Sequence, residues 1–171
     1  MSEAIAVTAS ALPSELKPFA LLPWRDPHTA SPEEVALSVQ RLEALCLEHP
    51  ESADLRTCLG MAHAVNYDVY KSMDALEAAV AIDPENFMAQ LKKSELLYRL
   101  RVLNRAEEET LRAVELARNS FQLAIARKML MEIRSQRRHS SRNVHCTKPL
   151  TTPALVLSAM LVVTFVVMMW K

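Results

Sequence analysis

Between residues 31 and 136, stretches carrying apolar side chains alternate with short polar breaks, and most of the breaks hold helix-capping residues. This alternation predicts six helices. Ser31-Pro32-Glu33-Glu34 is a capping box with proline at the first helical position, and it opens a helix that runs to about Glu48. Further helices are predicted over 53–65, 69–82, 87–101, 105–117 and 121–136. Asn104-Arg105-Ala106-Glu107 is a second box-like start, and Glu107, Glu108 and Glu109 read as a solvated helix N-terminus favoured by the dipole. The final helix carries Phe121, Leu123, Ala124, Met129, Leu130 and Ile133, an apolar set suited to closing the stack.

The two ends break this pattern. Residues 1–30 hold Pro13, Pro18, Pro23 and Pro27 together with Leu12, Leu16, Phe19, Leu21, Leu22 and Trp24, which reads as an irregular but apolar arm. Residues 137–153 read as a flexible basic linker. Residues 154–170 are uncharged over 17 positions, which as a helix reach roughly 25 Å, the short end of a membrane span. Trp170 suits an interface. Arg134, Arg137, Arg138, Arg142 and Lys148 precede this segment and only Lys171 follows it, so the bulk of the protein is expected to face the cytoplasm. The expectation is a single-pass C-terminal anchor. The basic stretch before it also attracts anionic lipid. Ala154 and Ser158 form a small-xxx-small pair, which offers a route to a homo-oligomer.

Composition narrows the classes. The chain contains 171 residues with one glycine, so phosphate-cradling loops, dinucleotide folds and hairpin-rich β architectures are disfavoured. Lys plus Arg and Asp plus Glu are both 20, which excludes a generally basic nucleic-acid binder. Three cysteines form no disulfide framework.

A 34-residue period underlies the helices. His49-Pro50-Glu51-Ser52 returns as Asp83-Pro84-Glu85-Asn86, and Ser52, Asn86 and Ser120 fall 34 apart as candidate N-caps. In the same frames stand Leu59-Gly60, Ser72, Ala79 and Pro84 in the first unit and Ala106 and Ala113 in the second. These residues resemble the tetratricopeptide repeat, a helix–turn–helix unit. The departures are Arg56 and Gln90 for an early tryptophan, His63 and Leu97 for tyrosine, Lys93 for leucine, Thr110 for a large apolar residue and Arg118 for proline. The helix opened by Ser31 resembles the second helix of an incomplete leading repeat.

The resemblance implies an all-α helical-hairpin solenoid over 31–136 that binds a protein segment in a groove lined by the first helix of each repeat. The inward positions are then Asp54, Thr57, Cys58, Met61, Ala64 and Val65, and in the second repeat Met88, Leu91, Lys92, Glu95, Tyr98 and Arg99. Met61, Met88, Leu91 and Tyr98 serve as apolar anchors, with Lys92, Glu95 and Arg99 as polar selectors. Tyr98 and Arg99 are the expected hot spots. For Met88 and Leu91, burial against the neighbouring helix is the equal alternative.

No catalytic or metal motif emerges. There is no C-x-x-C, H-E-x-x-H, G-x-S-x-G or P-loop pattern, and Cys58 and His63 are not at i, i+4. No enzyme activity, cofactor, metal or nucleic-acid partner is expected. The function read from the chain is a membrane-anchored interaction adaptor or receptor. The competing reading is a constitutive structural or assembly subunit of a larger membrane complex, and the native size of the solubilised protein separates the two.

Overall fold

A computed structural model describes residues 31–143, 158–161 and 168–170. The chain divides into two units, residues 1–134 and 135–171, and the packing that follows is that of the first. Six α-helices lie between residues 32 and 143: α1 Pro32–Glu48, α2 Ala53–Val65, α3 Val69–Ile82, α4 Phe87–Arg99, α5 Leu103–Leu116 and α6 Ser120–Asn143. Helices α2 and α3 pair as one hairpin and α4 and α5 as the next, while α1 packs on α2 and α4 touches both α2 and α3.

Local chemistry sets the helix starts. Ser31 and Glu34 exchange the two bonds of a capping box. The Ser31 N–H donates to the Glu34 carboxylate at 3.0 Å, and the Glu34 N–H donates to the Ser31 hydroxyl oxygen at 3.2 Å. Ser52 caps α2 through the Leu55 N–H, Asp68 caps α3 through Lys71 and Asn86 caps α4 through Ala89. Asn86 also donates its amide to the Asp54 carboxylate at 2.8 Å, which ties the starts of α2 and α4 together. Two expected starts move. Helix α5 begins at Leu103 after Val102, which has no side-chain cap, so the Asn104 box does not form. Helix α6 is capped by Asn119, whose carboxamide oxygen accepts from the Gln122 N–H at 2.8 Å, and Ser120 is its first residue. Helix α6 also runs on to Asn143, so 137–143, expected as flexible linker, are helical.

The turns inside the two hairpins are built alike without glycine. The Asp68 N–H reaches the His63 carbonyl and the Tyr67 N–H that of Ala64; 34 residues on, Val102 reaches Leu97 and Arg101 reaches Tyr98. These are the paired bonds of a Schellman motif, and its left-handed position is held by Tyr67 (φ 60°) and Arg101 (φ 62°).

Small residues sit at the helix crossings. Ser72, Ala79, Ala106 and Ala113 are fully buried. A Cβ placed on Gly60 falls 2.7 Å from Leu76 Cγ and 3.2 Å from the Ser72 carbonyl oxygen, so only glycine fits opposite Leu76. The Ser72 hydroxyl donates to the Gly60 carbonyl at 2.7 Å and fastens α3 to α2 at this contact. At the equivalent contact of the second hairpin, Ser94 and Thr110 replace Gly60 and Leu76; the larger residue on α4 is matched by a smaller one on α5. Their hydroxyls turn back to the Leu91 and Ala106 carbonyls of their own helices.

The expected membrane segment 154–170 lies largely outside the described residues; within it, 158–161 and 168–169 are helical. Among the described residues no helix is long and apolar enough to cross a membrane. The arm 1–30 also lies outside them.

Candidate functional site

The inward positions expected on the first helices separate into two groups. Met61, Met88 and Leu91 are buried, at 7%, 9% and 5% exposure. Met88 and Leu91 join Phe87, Ala113 and Ala126 in one apolar cluster, so α4, α5 and α6 enclose them. This corrects their reading as open anchors: the face that carries them is the one that meets the next helices, the alternative left open for Met88 and Leu91.

Lys92, Glu95, Tyr98 and Arg99 remain accessible in part or whole. Spacing of three and four residues places Lys92, Glu95 and Arg99 on one stripe of α4. Glu95 is its centre. One carboxylate oxygen takes the Lys92 ammonium at 2.8 Å and the other the Arg99 guanidinium at 2.7 Å. Burial pushes the Glu95 carboxyl upward, but the two cations win and hold it below the usual carboxylate range. Tyr98, next to Arg99 in the helix, packs against the cluster of Leu97, Ala106 and Ile133. The arrangement is a preorganised donor and acceptor set with an aromatic at its edge, suited to polar groups of a peptide.

A second polar constellation was not legible as such. Glu109 is buried, and its carboxylate meets the Lys93 ammonium at 3.0 Å, the Gln90 carboxamide and the Arg112 guanidinium at 3.2 Å. Burial raises the Glu109 carboxyl, and the bonds from Lys93 and Gln90 with the nearby charges reverse this and hold it low. Glu107 is also buried and accepts from the Arg134 Nε of α6 at 2.7 Å. The expectation that Glu107 to Glu109 form a solvated helix start therefore holds only for Glu108, which is exposed. Gln90 and Lys93, which depart from the repeat pattern, are on α4 where they face Glu109 of α5. The signal available in the sequence was the coincidence of two polar departures with an acid on the next helix. In the first hairpin the residues 34 positions earlier than Lys93, Glu109 and Thr110 are Leu59, Ala75 and Leu76.

Cys46 and Cys58 belong to one apolar cluster between α1 and α2. Burial pushes the Cys46 thiol up and the Cys58 thiol up to about 12, which leaves both protonated at neutral pH and poor as nucleophiles or ligands.

No family model matches the chain, and no curated protein does. Among solved structures, the chain is similar to the Yersinia enterocolitica type III secretion translocator chaperone SycD, with a TM-score of 0.59 and 16% identity over 74% of this chain and 89% of that one. At that identity the likeness is one of fold: an all-helical, tetratricopeptide-like repeat.

Proposed function

We propose that this chain is a protein-binding helical repeat, and that it works as an adaptor or receptor held at a membrane by residues 154–170, with the repeats facing the cytoplasm. The observation that carries the protein-binding part is the ion-paired stripe of partly buried Lys92 and Glu95 and exposed Arg99 beside Tyr98, on the first helix of a tetratricopeptide-like hairpin. The solved structure of similar fold is described as a translocator chaperone, and the proposal takes from that description only that such a fold serves another protein. The membrane part is supported by the sequence: 17 uncharged positions preceded by a basic stretch. Anchoring raises the effective concentration of the binding face at the surface without adding a contact. No catalytic step and no cofactor enter this reading.

The test is partner capture by the full chain and by the Tyr98→Ala, Arg99→Ala double variant. Loss of capture with the helical circular dichroism spectrum retained is expected; full capture by the variant removes the assignment. Deleting residues 1–24 tests whether the apolar arm competes for the same face, in which case capture rises.

A further inference from the structure

Helix α6 has two faces of opposite character. Ala126, Leu130 and Ile133 are buried, and Met129 packs beside Ile133. Arg127, Met131 and Arg134 recur at spacings of four and three, which puts them on one stripe about 100° round the helix from the buried set, and all are exposed. Lys128, three residues before Met131, flanks the stripe and is exposed too. Arg134 reaches Glu107 through Nε while its side chain stays 47% exposed. Met131, 65% exposed, interrupts the cations with an apolar side chain.

The charge is also segregated along the chain. Residues 127–148 hold seven Lys and Arg against the single acid Glu132, which leaves 13 cations and 19 acids for the remainder of a chain that is neutral overall. Cations surround one exposed methionine on a helix that leads, by sequence, to an uncharged apolar segment. That combination matches a surface that is anionic outside and apolar just beneath.

We propose that the exposed face of α6 carrying Arg127, Lys128 and Met131 docks on anionic phospholipid headgroups, with Met131 entering the acyl boundary. This deepens the membrane reading above and rests on it only for the identity of the surface. Each near-surface cation contributes about 1 kcal/mol on an anionic leaflet, a factor of about five, so removing two weakens association about 25-fold. Phosphate-rich nucleic acid presents the same charge without an apolar layer, and Met131 argues for lipid.

The test uses the full chain diluted from detergent onto vesicles containing a dansyl lipid, with capture read by energy transfer from its tryptophans. Phosphatidylserine-containing vesicles are compared with phosphatidylcholine alone. Capture by the anionic vesicles is expected to exceed that by the zwitterionic ones and to fall with salt. The Arg127→Gln, Lys128→Gln variant is expected to bind the anionic vesicles about 25-fold more weakly with its circular dichroism melt unchanged, and Arg127→Lys, Lys128→Arg to bind as the parent does. Equal capture on both vesicles, a glutamine variant that matches the parent, or preference for a single-stranded RNA over phosphatidylserine vesicles in competition each overturns the proposal. Release of the chain from membranes by alkaline carbonate sinks the anchor while leaving phosphatidylserine-dependent capture to judge the stripe.

Discussion

Gly60→Ala isolates the packing principle of the first hairpin. Alanine in place of a helix-interior glycine ordinarily stabilises by up to about 1 kcal/mol. Here the new methyl falls 2.7 Å from Leu76 Cγ and 3.0 Å from Leu76 Cδ2, and Leu76 is itself buried at 1% exposure. The backbone oxygen of Ser72, 3.2 Å away, blocks retreat along the helix and receives no relief from a rotamer change. Overpacking of this kind costs about 1–3 kcal/mol, so the net expectation is a loss of about 1–2 kcal/mol. Separation of α2 from α3 also lengthens the Ser72 bond to the Gly60 carbonyl. Urea unfolding of the full chain, followed by circular dichroism, measures the change. Leu76→Ala alone loses about 2–5 kcal/mol through its cavity. Combined with Gly60→Ala it is expected to lose less than the sum of the two, by about 1 kcal/mol, because the added methyl enters the space vacated. A Gly60→Ala protein as stable as the parent, or additive energies in the double variant, refutes the close crossing.

Other outcomes follow from single features. Tyr67→Gly relieves a left-handed residue whose side chain is 88% exposed, and a gain of about 0.5–1 kcal/mol in thermal unfolding is expected. Lys93→Leu takes one of its two cations from the buried Glu109 carboxylate, leaving Arg112 and Gln90, and is expected to cost about 3 kcal/mol, while Lys93→Leu with Glu109→Ala, which copies Leu59 and Ala75, recovers much of it in the same urea titration. Burial, opposed by Asp68 and Glu43, holds the His63 imidazole below its ordinary 6.5, so as pH falls the unfolded chain takes up this proton before the folded one. Stability from this residue is complete above pH 6.5 and declines as pH falls below it; His63→Gln should flatten that slope. Glu109, held low, adds a second decline at more acidic pH, as protons bind the unfolded carboxyl near its ordinary 4.5 first.

The helix frame was readable because its determinants are local. Ser31, Ser52 and Asn86 cap as their side chains dictate, and a 34-residue period in small residues marks the crossings. The face proposed to bind was only half readable. A groove position says which way a residue on a first helix points, but not whether the next hairpin covers it, and α5 and α6 cover Met88 and Leu91. The Gln90, Lys93 and Glu109 network was missed because each residue taken alone is ordinary on a helix surface; only their meeting across α4 and α5 makes them interior. The Asn119 cap was missed because strict periodicity favoured Ser120, one residue on.

The central claim, that the stripe of α4 receives a protein segment, is tested most directly by a photo-crosslinking amino acid at position 98 in the full chain, in intact cells. A discrete protein adduct is predicted, absent when the crosslinker stands at exposed Glu77 of α3 and lost on Lys92→Ala, Arg99→Ala. Adducts of equal yield at both positions, or adducts at 98 that survive loss of both cations, contradict it.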